Sequence, residues 1–204
     1  MNVIIFEGVD NLGKSTLISN IANQYRDTRD ILFMHATGPV CKEGEDPKEI
    51  QKVTFQQMFA KCNYLANVEH THSKTKKNIV FMDRSHYGEY VYGQIYRGYS
   101  SSEILSMFKD IRYSFYNVIV VHLEASPEFV VSHDDDKSFT SNYDSEKRLE
   151  TVKREIALFN ECFEKVKPKN YIKINVEGDN NNYRNVSELT EEILSKIKEL
   201  NVEL

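Results

Sequence analysis

Phe6-Glu7-Gly8-Val9-Asp10-Asn11-Leu12-Gly13-Lys14-Ser15-Thr16 closes the apolar run Val3-Ile4-Ile5-Phe6 and matches Gly-x4-Gly-Lys-Ser/Thr at every required position. The run reads as a short buried strand, and residues 15–25 carry helical periodicity through Leu17, Ile18, Ile21, Ala22 and Tyr25. Strand, loop and helix in that order are the context in which this motif binds phosphate. Gly8 and Gly13 permit backbone geometry that other residues resist, so loop N–H groups can converge on phosphate oxygens where the helix dipole favours negative charge. The motif assigns Gly8 through Thr16 to a nucleoside triphosphate, the Lys14 ammonium to its β- and γ-phosphates, and the Ser15 hydroxyl to Mg²⁺.

Outward from this loop, apolar runs alternate with helical stretches. Ile31-Leu32-Phe33-Met34-His35, Ile79-Val80-Phe81-Met82, Val118-Ile119-Val120-Val121-His122-Leu123 and Tyr171-Ile172-Lys173-Ile174-Asn175-Val176 read as four further strands. Residues 48–73, 103–116, 145–165 and 186–200 read as helices, and Ser126-Pro127 supplies a cap and first-turn proline for another. Strands alternating with helices imply a five-stranded parallel sheet covered on both faces, a three-layer α/β fold. A strand's carboxyl end faces the ligand crevice of such a sheet, so Asp83-Arg84-Ser85, directly after the third strand, becomes a candidate site.

The 204 residues suit a single domain. A net charge of −5 with no dense Lys/Arg run argues against a general nucleic-acid surface. Cys41, Cys62 and Cys162 are widely spaced and form no CxxC or Cys/His pattern, as expected of free thiols in a reducing compartment. The first residues carry no basic segment before their apolar run, so a signal peptide or membrane span is not expected and a cytoplasmic location is. A switch GTPase is excluded on motifs. Asp10 and Gly13 meet Asp-x-x-Gly only inside the loop itself, and Asn-Lys-x-Asp is absent.

With Phe6-Glu7-Gly8 entering the loop, Asp83-Arg84 ending the third strand, Leu123-Glu124-Ala125-Ser126-Pro127-Glu128 after the fourth and a polar segment following, the chain resembles the thymidylate kinase and deoxynucleoside kinase superfamily over nearly its whole length. The resemblance implies a P-loop kinase fold with a small lid, here about residues 133–144, and ATP and Mg²⁺ as cofactors. It places Arg84 on the acceptor's phosphate or 5′ region and Asp83 near the metal and the transferred group, so Lys14, Asp83 and Arg84 are the expected catalytic residues, with Ser15 and Asp83 toward the metal. It offers Phe55-Gln56 as the pair that stacks and reads the acceptor base, while in the tyrosine-rich run after Asp83-Arg84 the two rings nearest in sequence, Tyr87 and Tyr90, are the candidates to line the acceptor cleft. Lys137 and Arg148 are its lid-cation candidates. It also implies a small nucleotide as the partner and a homodimer through the long helix after Lys48. The composition would suit a phage or viral enzyme, and if the source is viral the expected location is the host cytoplasm.

The resemblance departs at one informative position. Deoxynucleoside kinases carry Glu-Pro after the second strand, where the Glu takes the proton of a 5′-hydroxyl. Here Gly38-Pro39 stands there. A monophosphate is already ionised and needs charge neutralisation rather than a base, which favours a deoxynucleoside monophosphate, thymidylate first, as acceptor. Two rivals stay open: a deoxynucleoside kinase with Asp83 or Glu7 as base, and a nucleotide-binding regulatory module without turnover.

Overall fold

The computed structural model describes residues 1–72, 76–98, 100, 102, 116–134, 138, 140 and 142–204. Five strands form one parallel sheet: β1 Asn2–Glu7, β2 Asp30–His35, β3 Asn78–Asp83, β4 Asn117–Glu124 and β5 Asn170–Asn175, in the order β2-β3-β1-β4-β5. All six residues of β1 are buried. That is what an unbroken apolar run predicts for a strand covered on both faces. β2, at an edge, is only partly buried and leaves Phe33 57% exposed.

Among the described residues the α-helices are α1 Lys14–Tyr25, α2 Pro47–Thr71, α3 His86–Tyr96, α4 Pro127–Ser132, α5 Ser145–Val166 and α6 Val186–Glu199. α1 packs on α6, while α3 and α4 pack on α5 and α2 on α3. Start signals in the sequence act as caps: Asp46 accepts from Lys48 N ahead of Pro47, Ser126 from Phe129 N, and Asp144 from Lys147 N. The helix expected over 103–116 lies outside the described residues, apart from Tyr116. Of the expected lid, 135–137, 139 and 141, and therefore Lys137, lie outside them too. Among the described residues no helix is long and apolar enough to cross a membrane.

The register explains where the site falls. Phe6 of β1 pairs with Asp83 of β3, which pairs with His35 of β2. Three strands therefore end in one row, and their carboxyl ends deliver the P-loop, Asp83-Arg84-Ser85 and the His35–Gly38 turn to the same edge.

Candidate active site

Gly8 has φ +132°, and a Cβ there would stand 2.4 Å from the Leu123 carbonyl oxygen, so the loop leaves β1 pressed against β4 in a way only glycine allows. Gly13, at φ +73°, is the N-cap of α1 and contributes no capping side chain, and the first turn holds no acidic residue. The orphan N–H groups at that helix start stay available to an anion. Lys14 is buried and turns back on the loop, donating to Val9 O at 2.6 Å and Gly8 O at 3.2 Å. Burial, helped by the nearby charge of Arg84, lowers its pKa to about 8.

Asp83 meets the loop from β3. Its Oδ2 accepts from Ser15 Oγ at 2.5 Å and lies 3.6 Å from His35 Nδ1, while its Oδ1 is buried with no partner among the described residues. A hydroxyl beside an unsatisfied carboxylate oxygen fits Mg²⁺, which takes one or two protein oxygens and fills its shell with water and substrate phosphate. Among the described residues no cluster of three or more His, Cys, Asp and Glu side chains offers an all-protein metal cage.

Arg84 sits in the left-handed region, at φ +70°, held by its own N–H to Phe6 O at 3.1 Å. Such backbone persists where the surroundings over-determine it, and often at functional sites. Its guanidinium pairs with Asp10, donates to Tyr92 Oη at 2.8 Å and Gly8 O at 3.5 Å, and stands over the Tyr92 ring. Behind it, Glu7 Oε1 accepts from Ser85 N at 2.7 Å, Ser85 Oγ at 2.6 Å and Gly88 N at 3.3 Å. Glu7 is fully buried, which raises its pKa to about 7, and lines neither cavity described next. It stitches β1 to the start of α3 and so aims Arg84.

Two cavities meet at this row. One, of about 580 Å³, lies over Asp10 to Leu17 and reaches His133, Tyr183, Arg184, Val186 and Leu189. The other, of about 340 Å³, is lined by Thr37, Gly38, Gln51, Phe55, Ser85, Gly88, Glu89, Tyr92, Arg97 and Ser138. Asp10, His35 and Arg84 belong to both walls. Gln51 Nε2 donates to Thr37 O at 2.7 Å, leaving Oε1 buried with no partner among the described residues. Glu89 pairs with Arg97, yet burial still raises the carboxyl to about 7.

The expected residues divide accordingly. Asp10, Asn11, Leu12, Gly13, Lys14, Ser15, Thr16, Asp83 and Arg84 line the first cavity, whereas Gly8 and Val9 shape the loop behind it. Phe55 lines the second cavity, but Gln56 is exposed and Gln51 supplies the amide, because residues four apart share a helix face and adjacent ones do not. Tyr87 packs on Phe163 and Tyr90 bonds Glu161 and Lys165, both away from the cleft; Tyr92 lines it instead. Arg148 is tethered to Asp134 at 3.2 Å and to Thr140 O at 3.2 Å and lines neither cavity. Sequence reasoning missed Gln51, Tyr183 and Arg184. The Phe55 signal held the clue to Gln51 at four-residue spacing.

A sequence model of the family described as AAA domain matches residues 3–170. No curated protein matches the chain. Among solved structures, the YorR protein from Bacillus subtilis, in complex with phosphorylated GDP, is 18% identical with TM-score 0.60 over 99% of each chain. Thymidylate kinase from Ehrlichia chaffeensis is 16% identical with TM-score 0.53, over 95% of this chain and 96% of that one. The fold is thus shared with a nucleotide kinase.

Proposed function

The chain belongs to the AAA domain family, and from its two joined cavities we propose that it is a phosphotransferase, moving the γ-phosphoryl group of ATP to a deoxynucleoside monophosphate, with dTMP the first candidate. The observation that carries this is the shared wall. Asp10, His35 and Arg84 stand where a triphosphate over the P-loop and a second nucleotide beside Phe55 would meet. Phosphoryl transfer asks for positioning and charge neutralisation rather than covalent help from the protein.

In this reading Lys14 and the α1 N-terminus hold the donor phosphates, and Arg84 exchanges Asp10 for the acceptor's phosphate and steadies charge in the transition state. Mg²⁺ held by Ser15 and Asp83 would neutralise phosphate charge. In the acceptor cavity Arg84 and Arg97 are each paired with a carboxylate of the same wall, Asp10 and Glu89, so an anionic acceptor would bind there by taking a carboxylate's place. Phe55 offers a face for the base, and the unpartnered Gln51 Oε1 calls for a ligand N–H such as N3–H of thymine. A hydroxyl acceptor is the second reading, favoured by the imidazole of His35 on the shared wall.

The deciding assay follows ADP release from Mg·ATP with dTMP, dUMP, dGMP, dCMP, dAMP and the matching nucleosides, with Lys14→Ala and Arg84→Ala beside the wild type. Turnover with a monophosphate, lost in both variants, supports the proposal. Turnover only with nucleosides moves it to the second reading, and binding without turnover makes the protein a nucleotide-responsive module. A homodimer through α2 belongs to the same proposal. Val53 and Tyr64, 48% and 62% exposed, are separated by about three turns and so share a face. Sedimentation at several concentrations tests it.

A further inference from the structure

Asn11 stands in the wall of the cavity over the P-loop and Ser138 in the wall of the acceptor cavity, and a single carboxylate bonds both. Asn11 Nδ2 donates to Asp134 Oδ1 at 3.2 Å, and Ser138 Oγ donates to Asp134 Oδ2 at 2.8 Å. Asp134 itself lines neither cavity. We propose that Asp134 is a positioning residue that couples the two cavities, so that a nucleotide bound in one tightens the binding of a nucleotide in the other. This coupling rests on the reading that the first cavity takes a triphosphate and the second a monophosphate.

Asn11 is placed to carry such a link. It holds the crest of the P-loop at φ +61°, a left-handed conformation that glycine adopts without strain and asparagine tolerates better than most residues. The Tyr183 hydroxyl donates to its carbonyl oxygen, and its side-chain amide makes the bond to Asp134. Glycine would satisfy the backbone alone. What the amide adds is the tie to Asp134.

Burial gives that tie its force. The Asp134 side chain is 5% exposed, and a charge so placed must be paired and hydrogen-bonded. Arg148 supplies the opposite charge 3.2 Å from Oδ2, and is braced by its Nε donating to Thr140 O at 3.2 Å. Ser138 Oγ also lies 3.1 Å from Thr140 Oγ1, so Asp134, Ser138, Thr140 and Arg148 close on one another, and the Asn11 amide joins that ring to the P-loop. In a low-dielectric interior the donors to one carboxylate depend on each other, because losing one leaves the charge under-compensated. A triphosphate on the loop would fix Asn11, hence Asp134, hence Ser138, and the second ligand would meet a wall already ordered.

Calorimetry on the full chain tests the coupling, with Mg·β,γ-imido-ATP, which is not hydrolysed, and the tightest-binding of dTMP, dUMP, dGMP, dCMP and dAMP. Each ligand is titrated alone and with the other saturating. In wild type each should tighten the other about tenfold, by the same factor in either order, as linkage requires. Asp134→Ala should bring that factor to within about twofold of one, while the affinity for each ligand alone changes by less than about threefold. Asn11→Gly keeps the left-handed backbone and cuts the tie, so its factor should fall as far, and the double variant should fall no further because both changes break one chain. A wild-type factor near one, or a factor that persists in Asp134→Ala or in Asn11→Gly, would overturn the proposal. So would loss of both single-ligand affinities in Asp134→Ala, which would make the carboxylate a structural support alone. If wild type bound the triphosphate analogue and none of the five monophosphates, the acceptor reading would fall and the coupling with it; if it bound neither class, the kinase reading itself would fall.

Discussion

Arg84 and Asp10 form an ion pair across the mouth of the P-loop, so the cation that the proposed acceptor phosphate would need is already held by a carboxylate of the loop. On that proposal phosphate would have to compete with Asp10 for it. Asp10→Asn should therefore strengthen inhibition by inorganic sulfate or phosphate about fivefold, the scale of a partly exposed pair. Weaker inhibition would mean that Asp10 orients Arg84 rather than occupying it.

The two P-loop glycines should differ sharply. Gly8→Ala sets a Cβ 2.4 Å from backbone, whereas Gly13→Ala meets nothing within 4 Å. Gly13→Ala should cost about 1–2 kcal/mol for its left-handed backbone. Gly8→Ala should cost more than that and abolish nucleotide binding, because either the loop or β4 must move. Thermal unfolding with and without Mg·ATP separates the two. Equal losses would show that conformation, not the contact with Leu123, governs both.

Glu89 gives a pH signature. Burial raises its folded pKa to about 7 from 4.5. The folded state therefore holds a proton that the unfolded state releases, and this contribution is complete below about pH 4.5 and lost as pH climbs through about 7. Glu89→Gln does not titrate, so its stability relative to wild type should improve by up to about 3 kcal/mol between pH 4.5 and pH 8.5. Denaturant unfolding of both proteins across that range measures it, and parallel curves would show that Arg97 keeps Glu89 ionised throughout.

Much of this architecture is legible in the chain itself, for a physical reason. A central parallel strand is buried on both faces and must be an unbroken apolar run, as Val3-Ile4-Ile5-Phe6 is, and the loop needs glycine at Gly8 whatever surrounds it. Helix phase was harder to read. Ser85, Gly88, Glu89 and Tyr92 share the cleft face of α3 at spacings of three and four, which leaves Tyr87 and Tyr90 on its far side, but a run this rich in tyrosine hides the phase. The bond from Tyr183 to Asn11 joins residues 172 apart, a closeness no local pattern encodes.

The phase of α2 yields the sharpest test of the acceptor site. Gln51 is pinned by its Nε2 to Thr37 O, so its buried Oε1 can only accept, and nothing among the described residues donates to it. An unsatisfied buried acceptor costs about 1–3 kcal/mol, which a ligand N–H would recover on binding. Gln51→Leu should then lower kcat/KM for a monophosphate about ten- to a hundredfold, with KM for ATP unchanged. Gln56→Ala, on the exposed face, should change neither. N3-methyl-dTMP sharpens the comparison, since it lacks the donor. Wild type should disfavour it against dTMP, and Gln51→Leu should lose most of that preference. If Gln56→Ala alone impaired the acceptor, the base would have to lie on the other face of α2, and the cleft beside Phe55 would not be its site.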